Sequence, residues 1–253
     1  MNPEFLLEVN NVSKAFHGLA GAKQLILEEI NFNISPSNNG NIITFLSPTN
    51  SSKTELFKII AAIEKPSAGE IILQGRKYEN PTGEIVFIPE KPSSFPWMSV
   101  KQNVEFVLSL KNNNQIKQEK IAEIISLVGL SGYEDHFPND KSLGFRFRIS
   151  FARALAVNPK IILLDEPLKN LHSETKKEII SLITYLTNQL NLTILISMAN
   201  ITEAILISNK IILMSLHPGK TIGEFEIDKT QNLQQHTDYF NSIKHSIEKS
   251  FQL

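Results

Sequence analysis

Apolar residues follow three successive patterns along this chain. In the first third they alternate or form short runs, Leu6 to Val9, Gln24 to Phe32 and Ile42-Ile43-Thr44-Phe45-Leu46, which predict strands, the last buried on both faces. A polar loop follows, and Lys53 to Ile63 then places Leu56, Ile59, Ile60 and Ile63 on one helical face, before two more predicted strands at Glu70 to Leu73 and Glu84 to Phe87. The period changes in the middle. Val100 to Leu110 and Gln118 to Leu130 carry apolar residues three and four apart, the pattern of amphipathic helices, so a helical subdomain is expected over roughly 91–157. The last third alternates: helix Phe145 to Val157, strand Lys160 to Leu164, helix Glu174 to Leu190, strand Thr193 to Ser197, helix Ile201 to Ile207, strand Lys210 to Met214. That order predicts an α/β fold with a mostly parallel sheet under helices. One domain is expected over 1–228. A C-terminal extension, 229–253, is polar until an amphipathic helix from about Thr237 to Phe251 that carries Tyr239, Phe240, Ile243 and Ile247.

Composition narrows the classes. With 253 residues, 42% of them hydrophobic, the chain can bury a sizeable core, and 25 Lys+Arg against 26 Asp+Glu gives no excess of positive charge for nucleic acid or a membrane surface. There is no cysteine, which excludes disulfides and thiolate metal sites and agrees with a cytoplasmic location. Met1-Asn2-Pro3-Glu4-Phe5 lacks the basic start and apolar run of a signal peptide, and no segment is long and apolar enough to span a bilayer. Direct membrane insertion is not expected; contact with a membrane is expected through a partner, at its cytoplasmic face.

Candidate chemistry begins at Leu46-Ser47-Pro48-Thr49-Asn50-Ser51-Ser52-Lys53-Thr54, between a buried strand and a helix start. A P-loop stands in that position: backbone N–H groups and the helix N-terminus hold phosphate, Lys reaches the terminal phosphates and Ser or Thr binds Mg²⁺. Lys53 and Thr54 suit the last two roles. The motif's glycines would fall at 47, 50 and 52, where this chain has Ser47, Asn50 and Ser52. A plain strand-to-helix turn is the competing reading. Downstream, Ile161-Ile162-Leu163-Leu164-Asp165-Glu166-Pro167 ends a buried strand in two carboxylates at the edge where α/β proteins bind ligands. Asp165 is placed to hold Mg²⁺ and Glu166 to polarise a water for attack on phosphate. Alone, the pair would equally suit a strand end.

Between these sites runs Lys141-Ser142-Leu143-Gly144-Phe145-Arg146-Phe147-Arg148-Ile149-Ser150-Phe151-Ala152-Arg153-Ala154-Leu155, which resembles the signature segment of ATP-binding-cassette (ABC) ATPases and the helix after it. Ser93-Ser94-Phe95-Pro96-Trp97-Met98-Ser99-Val100-Lys101-Gln102-Asn103-Val104 is similar to the segment after the Q-loop in nitrate-, sulfonate- and taurine-type importers. The resemblance covers roughly residues 5 to 227. It implies the P-loop ABC ATPase fold, with a mostly parallel sheet core, an N-terminal antiparallel β-subdomain and the helical subdomain already expected. It implies ATP and Mg²⁺ as ligands, Phe16 stacking on adenine, and a nucleotide held between Asn50, Ser52, Lys53 and Thr54 of one subunit and Ser142 and Gly144 of another. Thr54 and Asp165 would hold the metal. It implies a membrane permease as partner, gripped next to Phe95 to Val104, with Trp97 and Val104 on that surface; plain core packing of Trp97 is the alternative.

The same resemblance exposes departures. The Q-loop glutamine aligns with Glu90, the switch histidine with Ala199, the D-loop aspartate with His172, and the first signature glycine with Leu143. A non-glycine residue forced into the left-handed region costs about 1–2 kcal/mol, which would weaken nucleotide binding if Ser47 and Ser52 stand there. Losing one preorganised donor, as at Ala199, typically costs about 10²–10³ in rate. The expectation is a degenerate pseudo-ATPase subunit, a weak or inactive hydrolase alone, pairing with a competent second nucleotide-binding subunit, a paralogue. A slow but active ATPase, with Glu166 as catalytic carboxylate, and a regulatory or scaffold module outside transport are the alternatives.

Overall fold

The buried apolar runs become the centre of a six-stranded sheet in the computed structural model, which describes residues 4–17, 23–48, 52–110, 118–139, 141–229 and 237–251. In chain order the strands are β1 (Leu7–His17), β2 (Lys23–Ile34), β3 (Asn41–Leu46), β4 (Ala68–Leu73), β5 (Arg76–Lys77), β6 (Ile85–Ile88), β7 (Ile161–Asp165), β8 (Thr193–Met198), β9 (Lys210–Met214) and β10 (Thr221–Glu226). The helices are α1 (Lys53–Ile60), α2 (Val100–Ser109), α3 (Gln118–Leu127), α4 (Leu143–Ala156), α5 (Ser173–Leu190), α6 (Ile201–Ile207) and α7 (Thr237–Ser250). Strand order in the large sheet is β10-β9-β3-β8-β7-β6, all neighbours parallel except the β9–β10 pair. A second, antiparallel sheet, β2-β1-β4-β5, forms the N-terminal layer.

Why the central strands are apolar throughout follows from the two cores on either side of them. In β7, Ile162 and Leu164 face the core under helices α2 to α6, while Ile161 and Leu163 face the core shared by the antiparallel sheet and α1. Both faces are covered, so alternation is absent and the run reads as continuous apolar sequence. Helix α7 belongs to the first of these cores through buried Ile243 and Ile247. The backbone N–H of Asp228 donates to Tyr239 Oη at 2.9 Å, so the start of α7 is also tied to the strand region before it.

Several boundaries differ from expectation for local reasons. Strand β1 continues to His17 instead of stopping at Val9, because register shifts around Val12 and a left-handed Asn11 (φ 50°) break its alternation without ending its pairing. Helix α1 stops at Ile60; Ala62 takes φ 56°, the chain leaves the helix, and Ile63 is exposed instead of joining the buried face. Helix α3 stops at Leu127 ahead of Gly129 (φ 69°), although Leu130 is buried as its spacing suggested. Helix α4 starts two residues early because Ser142 caps it, its Oγ accepting from Phe145 N–H at 3.2 Å. Edge strands β5 and β10 have no expected counterpart: the first is two residues long, the second half-exposed and interrupted by Gly223.

Candidate functional site

Parallel pairing of β3, β8 and β7 aligns their carboxyl ends, with Leu46 opposite Met198 and Asp165 opposite Ser197. The loop after β3 leads into α1, whose first two residues are Lys53 and Thr54. Residues 49–51 of that loop, Asn50 among them, lie outside the described residues. Thr54 Oγ1 donates to Asp165 Oδ2 at 2.7 Å, and Ser197 Oγ donates to Asp165 Oδ1 at 2.5 Å, so both oxygens of this buried carboxylate are engaged. Ser197 also receives the backbone N–H of Glu166, at 2.9 Å on Oγ and 3.2 Å on its carbonyl oxygen. That pair of contacts holds Glu166 in the left-handed region, φ 45°, a conformation that costs a non-glycine residue about 1–2 kcal/mol.

Lys53 is buried, and its ammonium donates to the Ser47 carbonyl at 2.9 Å and pairs with Glu166 Oε1 at 3.1 Å. Burial pushes the Lys53 ammonium below its ordinary range, against the opposing pull of Glu166, and pushes the Glu166 carboxyl up against the pull of Lys53. Both charges are thus held where water would solvate them less well than in the open, paired with each other at the corner a phosphate would approach. Ser52 stands just ahead of α1 with φ −81°, and neither it nor Ser47 is in the left-handed region, so the strain expected of serines in place of glycine is absent at both. Both serine hydroxyls are buried, with no hydrogen-bond partner among the described residues. Room for Ser52 comes from Gly219: a Cβ there would lie 2.0 Å from Ser52 Oγ.

Among the described residues, the others singled out from sequence make no side-chain hydrogen bond to Lys53, Thr54 or Asp165. Phe16, at the end of β1, is exposed, with Lys14 Nζ 5.3 Å from its ring centroid. Ala199 follows β8 and offers no side-chain donor. Glu90, two residues past β6, pairs with Lys169 Nζ at 3.0 Å. Ser142 spends an acceptor lone pair on the α4 cap and keeps its hydroxyl proton free to donate. Leu143 is half-buried beside it, at the first position of α4. Gly144 is required within this chain, since a Cβ there would come within 2.6 Å of Thr175 Cγ2 on α5. Sequence reasoning missed Ser197, Gly219 and Lys169; Ser197 alone had a local signal, a polar residue closing an apolar strand.

Hydroxyl plus carboxylate is a hard oxygen pair that suits Mg²⁺, which takes one or two protein ligands and completes its shell with water and phosphate. No group of three or more His, Asp or Glu side chains able to hold a metal by itself occurs among the described residues. A strand, a loop and a helix opening on Lys-Thr, set against an Asp-Glu pair at the next strand end but one, define a P-loop nucleotide-binding fold. Residues 27–169 match the family described as ABC transporter, and the chain belongs to that family.

The relatives agree with the importer branch. The aliphatic sulfonates import ATP-binding protein SsuB of Bacillus cereus is 32% identical over 246 residues, covering 97% of this chain and 96% of that protein. The taurine import ATP-binding protein TauB of Roseobacter denitrificans is 30% identical, over 87% of this chain and 82% of that one. Among solved structures, the dimeric post-hydrolysis state of the ATP-binding cassette MJ0796 bound to ADP and Pi superposes with a TM-score of 0.75 at 26% identity, over 88% of this chain and 99% of the other.

Proposed function

We propose that this chain is the nucleotide-binding subunit of an importer-type ABC transporter, that it binds ATP and Mg²⁺ at Lys53, Thr54 and Asp165, and that it hydrolyses ATP poorly. The carrying observation is the Lys53–Glu166 and Thr54–Asp165 corner beside the end of β8, where Met198 and Ala199 carry no side-chain donor. Glu166 retains the position of a catalytic carboxylate, and that favours the second reading, a slow but active ATPase. The purified chain is expected to turn over ATP little above background. A rate of about 1–10 s⁻¹ that vanishes in Glu166→Gln would establish the second reading instead.

The partner reading rests on an aromatic surface. Asn103 is fully buried: its amide N–H groups donate to the carbonyls of Phe95, Met98 and Ser99, and its oxygen accepts from Phe95 N–H. Arg153 packs on the Phe95 ring, 4.0 Å from its centroid, and bonds the Ser93 carbonyl. On this braced loop Trp97 is 69% exposed, stacked on Phe95 at 5.4 Å, while Phe106 meets Phe95 edge-on at 5.2 Å. Core packing of Trp97 is therefore ruled out. Val104 corrects the expectation in the opposite direction: it is 0% exposed, because it points from α2 into the helical core, so Val104→Asp would disrupt folding and not a surface. No helix of the described residues is long and apolar enough to cross a membrane.

Trp97→Ala and Phe106→Asp are expected to weaken co-purification with the permease by tenfold or so, the loss of one central aromatic anchor, with little change in unfolding midpoint. Retention of the partner by both variants would remove the docking assignment. The chain is further proposed to pair with a second, competent nucleotide-binding subunit, whose ATP it covers with Ser142 and Gly144.

A further inference from the structure

One ion pair beside the phosphate corner stands apart from the contacts that hold Lys53 and Asp165. Strands β6 and β7 are parallel neighbours, Ile88 opposite Leu164, so the residues after them emerge side by side. Glu90 follows β6. Lys169 follows β7 by one turn, its backbone N–H donating to the Glu166 carbonyl at 3.0 Å, which fixes the lysine's root next to the carboxylate that holds Lys53. Across 79 residues of sequence Lys169 Nζ reaches Glu90 Oε2 at 3.0 Å.

Both side chains are partly exposed, 43% and 36%, so the contact is an adjustable one at the rim and not a buried clamp. The Glu90 contact holds the Lys169 ammonium above its ordinary range, with Glu166 and Asp165 adding to the same effect, and the charge of Lys169 is felt in turn at Glu166 and Lys53. Lysine's charge sits on a flexible four-carbon stem, which lets it exchange one anion for another without moving its backbone. At this strand edge Lys53 is already committed to Glu166 and to the Ser47 carbonyl, the Ser197 hydroxyl is committed to Asp165, and Ala199 has no donor.

We propose that Lys169 is a second phosphate-binding cation of this site, parked on Glu90 until the terminal phosphate of ATP draws it over, and that the Glu90–Lys169 pair sets the preference for ATP over ADP. The inference rests on the nucleotide-binding reading and deepens it. Glu90 competes for the ammonium and places a negative charge near the incoming anion. Removing it should tighten ATP binding, and removing Lys169 should loosen it.

Binding of ATP and of ADP, each with Mg²⁺, to the full chain by titration calorimetry tests this. Lys169→Met should weaken ATP binding about tenfold, the loss of one charge-assisted contact, with less than about a twofold change for ADP. Lys169→Arg should keep most of the affinity. Glu90→Gln should raise ATP affinity several-fold, and the rise should disappear in the Glu90→Gln/Lys169→Met double variant. Both side chains lie at the surface, so all four variants are expected to melt like the parent. If Lys169→Met changes ATP and ADP alike, or neither, Lys169 does not meet the terminal phosphate and the proposal fails while the nucleotide site stands. If the parent chain binds neither nucleotide, the nucleotide reading fails and this proposal goes with it.

Discussion

The double variant Lys53→Met/Glu166→Leu, which removes both members of the buried pair, should be as stable as the parent chain in urea titration or more so. Lys53 is 2% exposed and Glu166 is its carboxylate partner at 3.1 Å. Removing both and filling the space with apolar atoms ends the desolvation of each.

The pH dependence follows from the directions of the shifts. A carboxyl raised by burial binds its proton more tightly folded than unfolded, so stability from Glu166 is present below the unfolded carboxylate range and is lost as pH rises through the folded value. A lysine lowered by burial is the mirror case: its cost is present at neutral pH and is relieved as pH rises towards the unfolded lysine range. The advantage of the double variant over the parent is therefore largest near neutrality and shrinks on acidification into the carboxylate range. A double variant less stable than the parent at neutral pH would show that the pair is net stabilising and overturn this reading. Such a pair is poorly satisfied in the folded chain, and a phosphate next to Lys53 would supply what Glu166 supplies only in part.

If the chain pairs, as proposed, with a competent second subunit on a permease, Ser142→Arg in that complex should lower ATP turnover at least tenfold, a larger loss than Lys53→Ala produces. Two nucleotide sites would form between the subunits, one covered by this chain and one built on it. The site proposed to be covered by this chain would use the start of α4, where Ser142 is exposed and its hydroxyl accepts only the cap bond from Phe145 N–H. The site built on this chain has Ala199 where a donor is wanted. Turnover is to be measured at saturating ATP, with assembly checked by size exclusion because both variants touch the fold: Ser142 caps α4 and Lys53 pairs with Glu166. If Lys53→Ala abolishes turnover while Ser142→Arg does not, this chain carries the working site. If neither variant matters, a scaffold role replaces the catalytic partnership. Leu143, at the first position of α4, is the side chain with most scope to spoil the covered site.

The residues proposed to form a phosphate and metal corner stand out in the sequence one segment at a time because each announces itself locally. Lys53-Thr54 follows an apolar strand and opens a helix, and Asp165-Glu166 closes a strand whose four apolar residues demand cover on both faces. Periodicity likewise placed the helices and central strands, since packing on one face or two leaves a repeat of 3.6 residues or an unbroken run. What periodicity cannot carry is which distant ends meet. Thr54 finds Asp165 across 111 residues and Lys169 finds Glu90 across 79, through the parallel alignment of strand ends that hydrogen bonding between β3, β8, β7 and β6 imposes. Trp97 and Val104 lie in one motif, yet one is exposed on a loop braced by Asn103 and the other is enclosed in the helical core, because exposure is decided by the neighbours a residue acquires and not by its own polarity. Backbone angles belong to the same class: Ser52 escapes the left-handed region that glycine would favour, whereas Glu166 is held in it by two contacts from Ser197, which only the assembled sheet brings within reach.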